Sequence, residues 1–251
     1  PRSIKKSKMT DKTQQGSVTT TVENGIGTIE FYHPAHNSMP GKLLAELAGA
    51  IHDAGLNDEV KVIVLKSAGD RTFCAGASFD ELTAIEDVYS GKRFFMGFAN
   101  VINAMRKCPK FIIGRIQGKA VGGGVGLASA TDYCVATKYA SIKLSELAIG
   151  IGPFVVGPAV ERKVGTSAFA QLAIDATNWQ TAEWAKAKGM YTEVFEDIAA
   201  MDAHIEELAQ KLATSNPEAM KRLKEATWSD TDYWDELLAE PKRRQGVGLE
   251  G

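Results

Sequence analysis

The sequence has little of what several classes of protein depend on. Its 251 residues include only 3 cysteines, widely spaced, and 4 histidines without metal-ligand spacing, so neither a disulfide framework nor a metal site is expected. No apolar run approaches the roughly 18 residues of a membrane span, and no signal peptide is recognisable. A net charge of −2 without a basic stripe argues against nucleic acid. We therefore expect a cytoplasmic protein that binds neither nucleic acid nor membrane.

The composition is that of one folded unit. Hydrophobic residues make up 44% and charged residues 24%, and no low-complexity linker divides the chain. Residues 1–8 precede Met9 and are expected to be sequence added to the native chain. Residues 241–251 lack periodicity and are expected to form an irregular tail. Between them we expect a core over 9–195 and a helical region over 196–240.

The order of apolar patterns predicts an α/β fold. Asn24 and Gly25, between two strand-like runs, are typical of a β-hairpin. Helical spacing predicts a helix over 41–56, and short apolar runs predict buried strands over 60–65 and 111–117. The later part is mostly helical, with predicted helices over 155–164, 167–176, 181–188, 199–213 and 217–227.

Two turns of small residues each follow a predicted strand and precede a predicted helix. They are FCAGA at 73–77 and VGGGVG at 121–126. Bare backbone at such turns lets a ligand come within hydrogen-bonding distance. If the two strands are neighbours, the turns lie side by side and offer N–H donors to one oxygen, as an oxyanion hole does. Ser78 and Glu81 form a capping-box pattern that begins the helix after the first turn.

Glu146 is the candidate proton carrier. Its apolar neighbours are expected to desolvate the carboxylate and to raise its pKa toward that of a working base; they are Leu144, Leu147, Ala148 and Ile149. Three simpler interpretations remain: the glycines form a plain strand–helix corner, Glu146 is a surface residue, and Cys74 is a buried structural thiol. Phenylalanines 94, 95 and 98 belong either to the core or to a pocket wall.

Taken together, these residues resemble the enoyl-CoA hydratase/isomerase (crotonase) superfamily. The resemblance runs from about Val18 to Trp228. It is carried by FCAGA at 73–77, the glycines at 122–124, Ser145 and Glu146 ahead of GIGP at 150–153, HPAHN at 33–37, and TAEWAKAKG at 181–189.

The resemblance implies a fold and a reaction centre. The fold is a crotonase-like spiral of ββα units, whose C-terminal helices, here 196–240, build a homotrimer or a hexamer. The backbone N–H groups of Ala77 and Gly123 would bind a thioester carbonyl and stabilise the enolate, with Glu146 as general acid/base. The substrate-binding residues implied are His36, Ala75, Ser78, Phe79, Gly122 and Gly126. Coenzyme A enters as part of the substrate, without a further cofactor.

Gly126 departs from the family pattern, because family hydratases usually carry a second glutamate there. One carboxylate can move a proton between two carbons, whereas addition of water normally uses two acids. Hydration and double-bond isomerisation of an enoyl-CoA both stay open. The alternatives are a CoA-thioester hydrolase or decarboxylase on the same scaffold and a catalytically silent acyl-CoA-binding protein.

Overall fold

The computed structural model describes residues 15–239, and for 88–93 the backbone alone; residues 1–8 and the tail 241–251 lie outside the described residues. The strands are β1 Ser17–Glu23, β2 Ile26–Tyr32, β3 Val62–Ser67, β4 Ile112–Ile116, β5 Ala120–Val121, β6 Tyr133–Thr137, β7 Ile142–Lys143 and β8 Glu193–Phe195. The helices are α1 Gly41–Leu56, α2 Phe79–Thr83, α3 Val88–Lys107, α4 Gly123–Ser129, α5 Gly157–Ile174, α6 Ala182–Ala187, α7 Ile198–Ala213, α8 Pro217–Thr227 and α9 Trp234–Ala239, with 3-10 turns at Glu146–Ile149 and Ser229–Thr231. None of these helices is both long enough and apolar enough to cross a bilayer.

Six strands form one sheet in the order β1-β2-β3-β4-β6-β8, and β5 pairs with β7 separately. The hairpin at Asn24 and Gly25 is confirmed: both residues have positive φ, 52° and 82°, as a two-residue turn between antiparallel strands requires. All later pairs in the six-stranded sheet are parallel. The carboxyl ends of β3 and β4 therefore lie side by side, and each leads into one of the two small-residue turns.

The central strands are covered on both faces. Along β3, Ile63 and Leu65 belong to the main core with α1 and α3, whereas Val62 and Val64 pack in a second cluster with Ile205 of α7. Successive residues of a strand point to opposite faces, so both sets are buried. This explains why the run is apolar throughout instead of alternating.

Several predicted boundaries differ from the structure. The strand predicted from residue 60 begins at Val62, because Lys61 N–H and Val62 N–H both donate to Gly25 O at the hairpin. The helices predicted over 155–164 and 167–176 are one element, Gly157–Ile174, interrupted at Gly165 with φ 78° and ψ 167°. Gly165 lies in the gap that the sequence pattern predicts between the two helices.

The capping box at Ser78 is half formed. Ser78 Oγ accepts from Glu81 N–H at 3.4 Å, but the Glu81 carboxylate accepts from Gly41 N–H at 2.9 and 3.1 Å. Gly41 is the first residue of α1, and Pro40 before it offers no capping side chain. Glu81 therefore caps α1 across 40 positions of sequence instead of closing its own helix.

Helix α8 is fixed to the core by a buried ion pair. Lys224 Nζ lies 3.0 Å from Asp132 Oδ2 and also donates to Met105 O and Lys110 O, at 2.8 and 2.9 Å. Trp228 Nε1 donates to Asp132 Oδ1 at 2.7 Å. This part of the predicted C-terminal region, residues 217–228, thus packs on its own chain's core.

Candidate active site

The two small-residue turns lie in contact, as the sequence predicts. Cys74 and Ala120 form a parallel bridge, and Val121 N–H donates to Cys74 O at 3.0 Å. Gly76, with φ 91°, comes so close that a Cβ on it would lie 2.8 Å from Val121 O and 3.4 Å from Gly123 N. Only a glycine allows this approach of two backbones.

Among the backbone amides at this contact, those of Ala77 and Gly123 have no acceptor within the described residues. Met39 bridges Ala77 in parallel and donates to Gly76 O at 2.8 Å. In such a bridge the bonds run to the neighbours of the paired residue, and Pro40 has no N–H for the alternative pattern. The Ala77 amide therefore points away from Met39. Both unpaired amides belong to residues that line one cavity.

Gly122 and Gly123 are glycines for different reasons. Gly122 adopts φ 53° and ψ −114°, which side-chain-bearing residues avoid, and a Cβ there would lie 2.8 Å from Glu146 Oε1. A Cβ on Gly123 would overlap the ring of Phe98. The carboxylate and the ring thus flank the second turn from two sides.

The cavity in front of the turns has a volume of about 240 Å³. The phenylalanines at 94, 95 and 98, left open between core and pocket wall, all line it. Its larger apolar lining residues are Phe79, Leu82, Phe94, Phe95, Phe98, Val121, Ile149, Ile151, Pro153, Phe154, Val155 and Val156. Such a wall fits an apolar group held against the two turns.

Among the side chains that the structure describes, those of residues 15–87 and 94–238, Glu146 is the one ionisable group in the cavity lining. Its Oε2 is buried and has no hydrogen-bond partner among the described residues. Burial raises the pKa of this carboxyl from 4.5 to about 7, against a smaller lowering by its own backbone N–H. A carboxyl with this pKa can both take and return a proton near neutral pH. In residues 15–239 no group of three or more His, Cys, Asp or Glu is placed to hold a metal ion.

The raised pKa was predicted, but the reason given for it is wrong in part. Leu147 and Ile149 are 55% and 51% exposed, and Ala148 is exposed as well. Of the predicted neighbours, Leu144 is buried and Ile149 contributes to the cavity wall. The desolvation follows from burial of the carboxyl, and the cavity around it is formed by residues 75–82, 94–98 and 121–123 as well as by its sequence neighbours up to residue 156.

The predicted substrate-binding residues divide into two groups. Ala75, Phe79 and Gly122 line the cavity. His36 and Ser78 are adjacent to it but outside its wall: His36 O accepts from Ala75 N–H at 3.1 Å, and Ser78 caps α2. A role of either residue in binding substrate stays a prediction.

Gly126, a further predicted substrate-binding residue, does not line the cavity either. A Cβ on Gly126 would lie 2.7 Å from Val156 Cβ, and Val156 itself lines the cavity. Sequence reasoning missed Val156, because a valine after the GIGP segment carries no chemical signal and its contact with Gly126 arises only in the fold. The position at which the resemblance led us to expect a second acid is thus covered by an apolar side chain.

Comparison with known proteins identifies the family. The sequence model described as enoyl-CoA hydratase/isomerase matches residues 21–244, and the chain belongs to this family. Its fold is the crotonase fold: an enoyl-CoA hydratase structure from Mycobacterium smegmatis superposes with a TM-score of 0.80 at 23% identity, covering 92% of this chain and 91% of that one. The prediction of the fold and of the family is confirmed.

Relatives within the family differ in reaction. The chain is 28% identical over 206 residues to the short-chain-enoyl-CoA hydratase of Clostridium acetobutylicum, covering 81% of this chain and 78% of that protein. It is 29% identical over 203 residues to the peroxisomal Delta(3,5)-Delta(2,4)-dienoyl-CoA isomerase of Arabidopsis thaliana, covering 74% and 71%. Other relatives are named as hydrolases and decarboxylases. The family is therefore established, while these relatives do not single out one reaction.

Proposed function

We propose that this protein isomerises an enoyl-CoA by moving a proton between two carbons of the acyl chain. The observation that carries the proposal is the single carboxylate: Glu146 lines the cavity, whereas Gly126 is covered by Val156. Transfer of one proton out and back needs one group that is a base first and an acid afterwards. A pKa of about 7 suits Glu146 to both roles.

The proposed reaction begins with a 3-enoyl thioester whose carbonyl oxygen accepts from the Ala77 and Gly123 N–H groups. Glu146 takes a proton from C2, and the electron pair of that C–H bond forms a dienolate with its charge on the carbonyl oxygen. The same carboxyl then delivers the proton to C4, which leaves the double bond between C2 and C3. Loss of one such backbone or side-chain donor typically costs about 3–4 kcal/mol of transition-state stabilisation.

The acyl group would lie against the phenylalanines at 94, 95 and 98, and the CoA portion near the first turn. Ala75 and Phe79 support this placement because they line the cavity, and His36 and Ser78 are adjacent. Coenzyme A takes part as a portion of the substrate, with no further cofactor in the proposed reaction.

Hydration of a 2-enoyl-CoA is the second candidate, favoured by similarity to the Clostridium acetobutylicum hydratase over most of both chains. Assays of 3-hexenoyl-CoA and crotonyl-CoA on wild type and Glu146→Gln separate the candidates. We expect turnover of the 3-enoyl thioester and its loss by at least about 10²-fold in Glu146→Gln. Glu59→Gln, at an exposed position, is the matched control.

Other outcomes of this assay would contradict the proposal. Turnover of crotonyl-CoA alone would make the protein a hydratase. Release of free CoA or of carbon dioxide would indicate a hydrolase or a decarboxylase. CoA-ester binding without any turnover would make it a silent binding protein, and unchanged turnover in Glu146→Gln would remove Glu146 from the mechanism.

We further propose a homotrimer or a hexamer located in the cytoplasm. Leu147 and Ile149 support self-association, since large apolar side chains exposed by half beside a cavity are suited to burial against a second copy. Sedimentation equilibrium distinguishes the two assemblies from a monomer.

A further inference from the structure

The segment that precedes α1, residues 33–40, is hydrogen-bonded to the first small-residue turn, residues 73–77. Ala75 N–H donates to His36 O at 3.1 Å, and Met39 N–H donates to Gly76 O at 2.8 Å. The residue after Gly76 carries the first of the two unpaired amides. The direction of that amide therefore depends on where residues 33–40 lie.

One buried side chain fixes this segment to the rest of the core. Asn37 is only 6% exposed. Its Oδ1 accepts from His33 N–H at 3.0 Å, and its Nδ2 donates to Ala68 O at 3.0 Å and to Thr72 O at 2.9 Å. Both hydrogens of the amide are used, so Asn37 joins the segment to the loop that follows β3.

The carbonyl oxygen of Thr72 accepts a second hydrogen bond, from a side chain in another part of the chain. Gln117 Nε2, just beyond the end of β4, donates to Thr72 O at 3.3 Å and to Ser67 Oγ at 2.8 Å. The next residue, Phe73, begins the first turn. Two side-chain amides from separate parts of the chain thus define where this turn starts.

The backbone restricts what can replace Asn37. His36 and Asn37 are consecutive residues in the left-handed region, with φ of 53° and 56°. Among residues other than glycine, asparagine is one of the few that enter this region readily. Glycine shares the backbone freedom but lacks the three hydrogen bonds, and aspartate keeps only an acceptor when it is ionised.

We infer that Asn37 is a positioning residue for the reaction: it sets the Ala77 amide where the thioester carbonyl oxygen arrives. This role rests on the proposed oxyanion function of Ala77 and Gly123. Donors of this kind act because they are already in place before charge develops. A misplacement of about 1 Å can cost as much as about 10²-fold in rate.

The kinetic test compares Asn37→Gly, which keeps the left-handed backbone, with the isosteric Asn37→Asp. We expect kcat per folded enzyme to fall by about 10-fold to 10²-fold in both, with KM changed by less than about threefold. In Asn37→Gly the midpoint of the pH–rate profile should stay where the pKa of Glu146 places it, because this variant adds no ionisable group and leaves that carboxyl unchanged. Asn216→Gly is the matched control: it removes the N-cap bond to Ala219 N–H, 2.9 Å long, at the start of α8.

The spectroscopic test measures the carbonyl stretch of an isotope-labelled enoyl thioester bound to Glu146→Gln, where turnover is blocked. Polarisation by the two amides should lower this frequency, and adding either Asn37 substitution should reverse part of the change. The control Asn216→Gly should lose only a little thermal stability, because glycine is an accepted N-cap residue, and should leave the frequency and kcat unchanged.

Two results would overturn the inference, and they differ from each other. A lowered frequency that survives both Asn37 substitutions, with unchanged kcat and only a lower Tm, would make Asn37 merely structural and leave the oxyanion proposal intact. No lowering with Asn37 in place would remove the oxyanion role itself, and the positioning role with it.

Discussion

Glu146→Gln should change how the stability of the protein depends on pH. The pKa of this carboxyl rises from 4.5 in the unfolded chain to about 7 in the folded protein, chiefly because burial disfavours its charge. Below pH 4.5 both states hold the proton and the raised pKa costs nothing. As pH rises toward 7 the unfolded state loses its proton first, so the folded state becomes less stable relative to it.

The size of this effect follows from the same two values. Each pH unit between 4.5 and about 7 is worth about 1.4 kcal/mol, so the folded protein loses up to about 3 kcal/mol across the interval. Glutamine carries no proton to lose and escapes this loss. The free energy of unfolding of Glu146→Gln, relative to wild type, should therefore rise by most of this amount between pH 5 and pH 8.

Urea denaturation at half-unit steps from pH 5 to pH 8 measures this difference. Comparing pH values cancels whatever the buried glutamine amide costs by itself, because that cost does not vary with pH. Glu59→Gln, at an exposed site, should give a difference that stays level. A level difference for Glu146→Gln as well would refute the desolvation of Glu146, and with it the argument for a base that works near neutral pH.

Two further substitutions test contacts in the fold, one beside the cavity and one where α8 is fixed to the core. Gly126→Glu should lower the free energy of unfolding by more than about 1–3 kcal/mol, because a Cβ at this position meets Val156. Adding Val156→Ala should recover part of this loss in urea denaturation. Equal stability of wild type and Gly126→Glu would contradict the contact. Asp132→Ala should lower the free energy of unfolding by about 3–5 kcal/mol, because it leaves the buried charge of Lys224 unpaired. The control Glu207→Ala removes an exposed ion pair and should lower it by less than about 1 kcal/mol. Similar losses in the two variants would show that the Asp132 pair is not effectively buried.

The sequence predicts those features of the site that depend on local backbone chemistry. Residues 73–77 and 122–124 could be recognised because small residues at a strand–helix turn have few other uses. Their contact follows from the parallel pairing of β3 and β4, which strand order makes the natural arrangement. Glu146 is singled out by the apolar residues around it in the sequence, and the family resemblance adds which two amides act together, those of Ala77 and Gly123.

What the sequence does not predict arises from contacts between distant segments. Val156 covers Gly126, and Phe98 lies against Gly123, although neither partner carries a pattern that names the other. In the sequence Asn37 is one polar residue in a loop, and its two bonds to backbone carbonyls 31 and 35 residues away appear only in three dimensions. A sequence shows which residue types are available for catalysis, whereas the packing contacts that surround them become known only from the fold.

The cap that Glu81 supplies to α1 has a consequence for how entry to the cavity could be observed. Glu81 belongs to α2, the short helix whose Phe79 and Leu82 line the cavity, yet its carboxylate is bound to the first amide of α1. A ligand that displaces α2 must also free that amide to solvent. The exchange rate of the Gly41 amide hydrogen should therefore increase when α2 moves away from the cavity. It reports this movement from a residue that does not itself line the cavity.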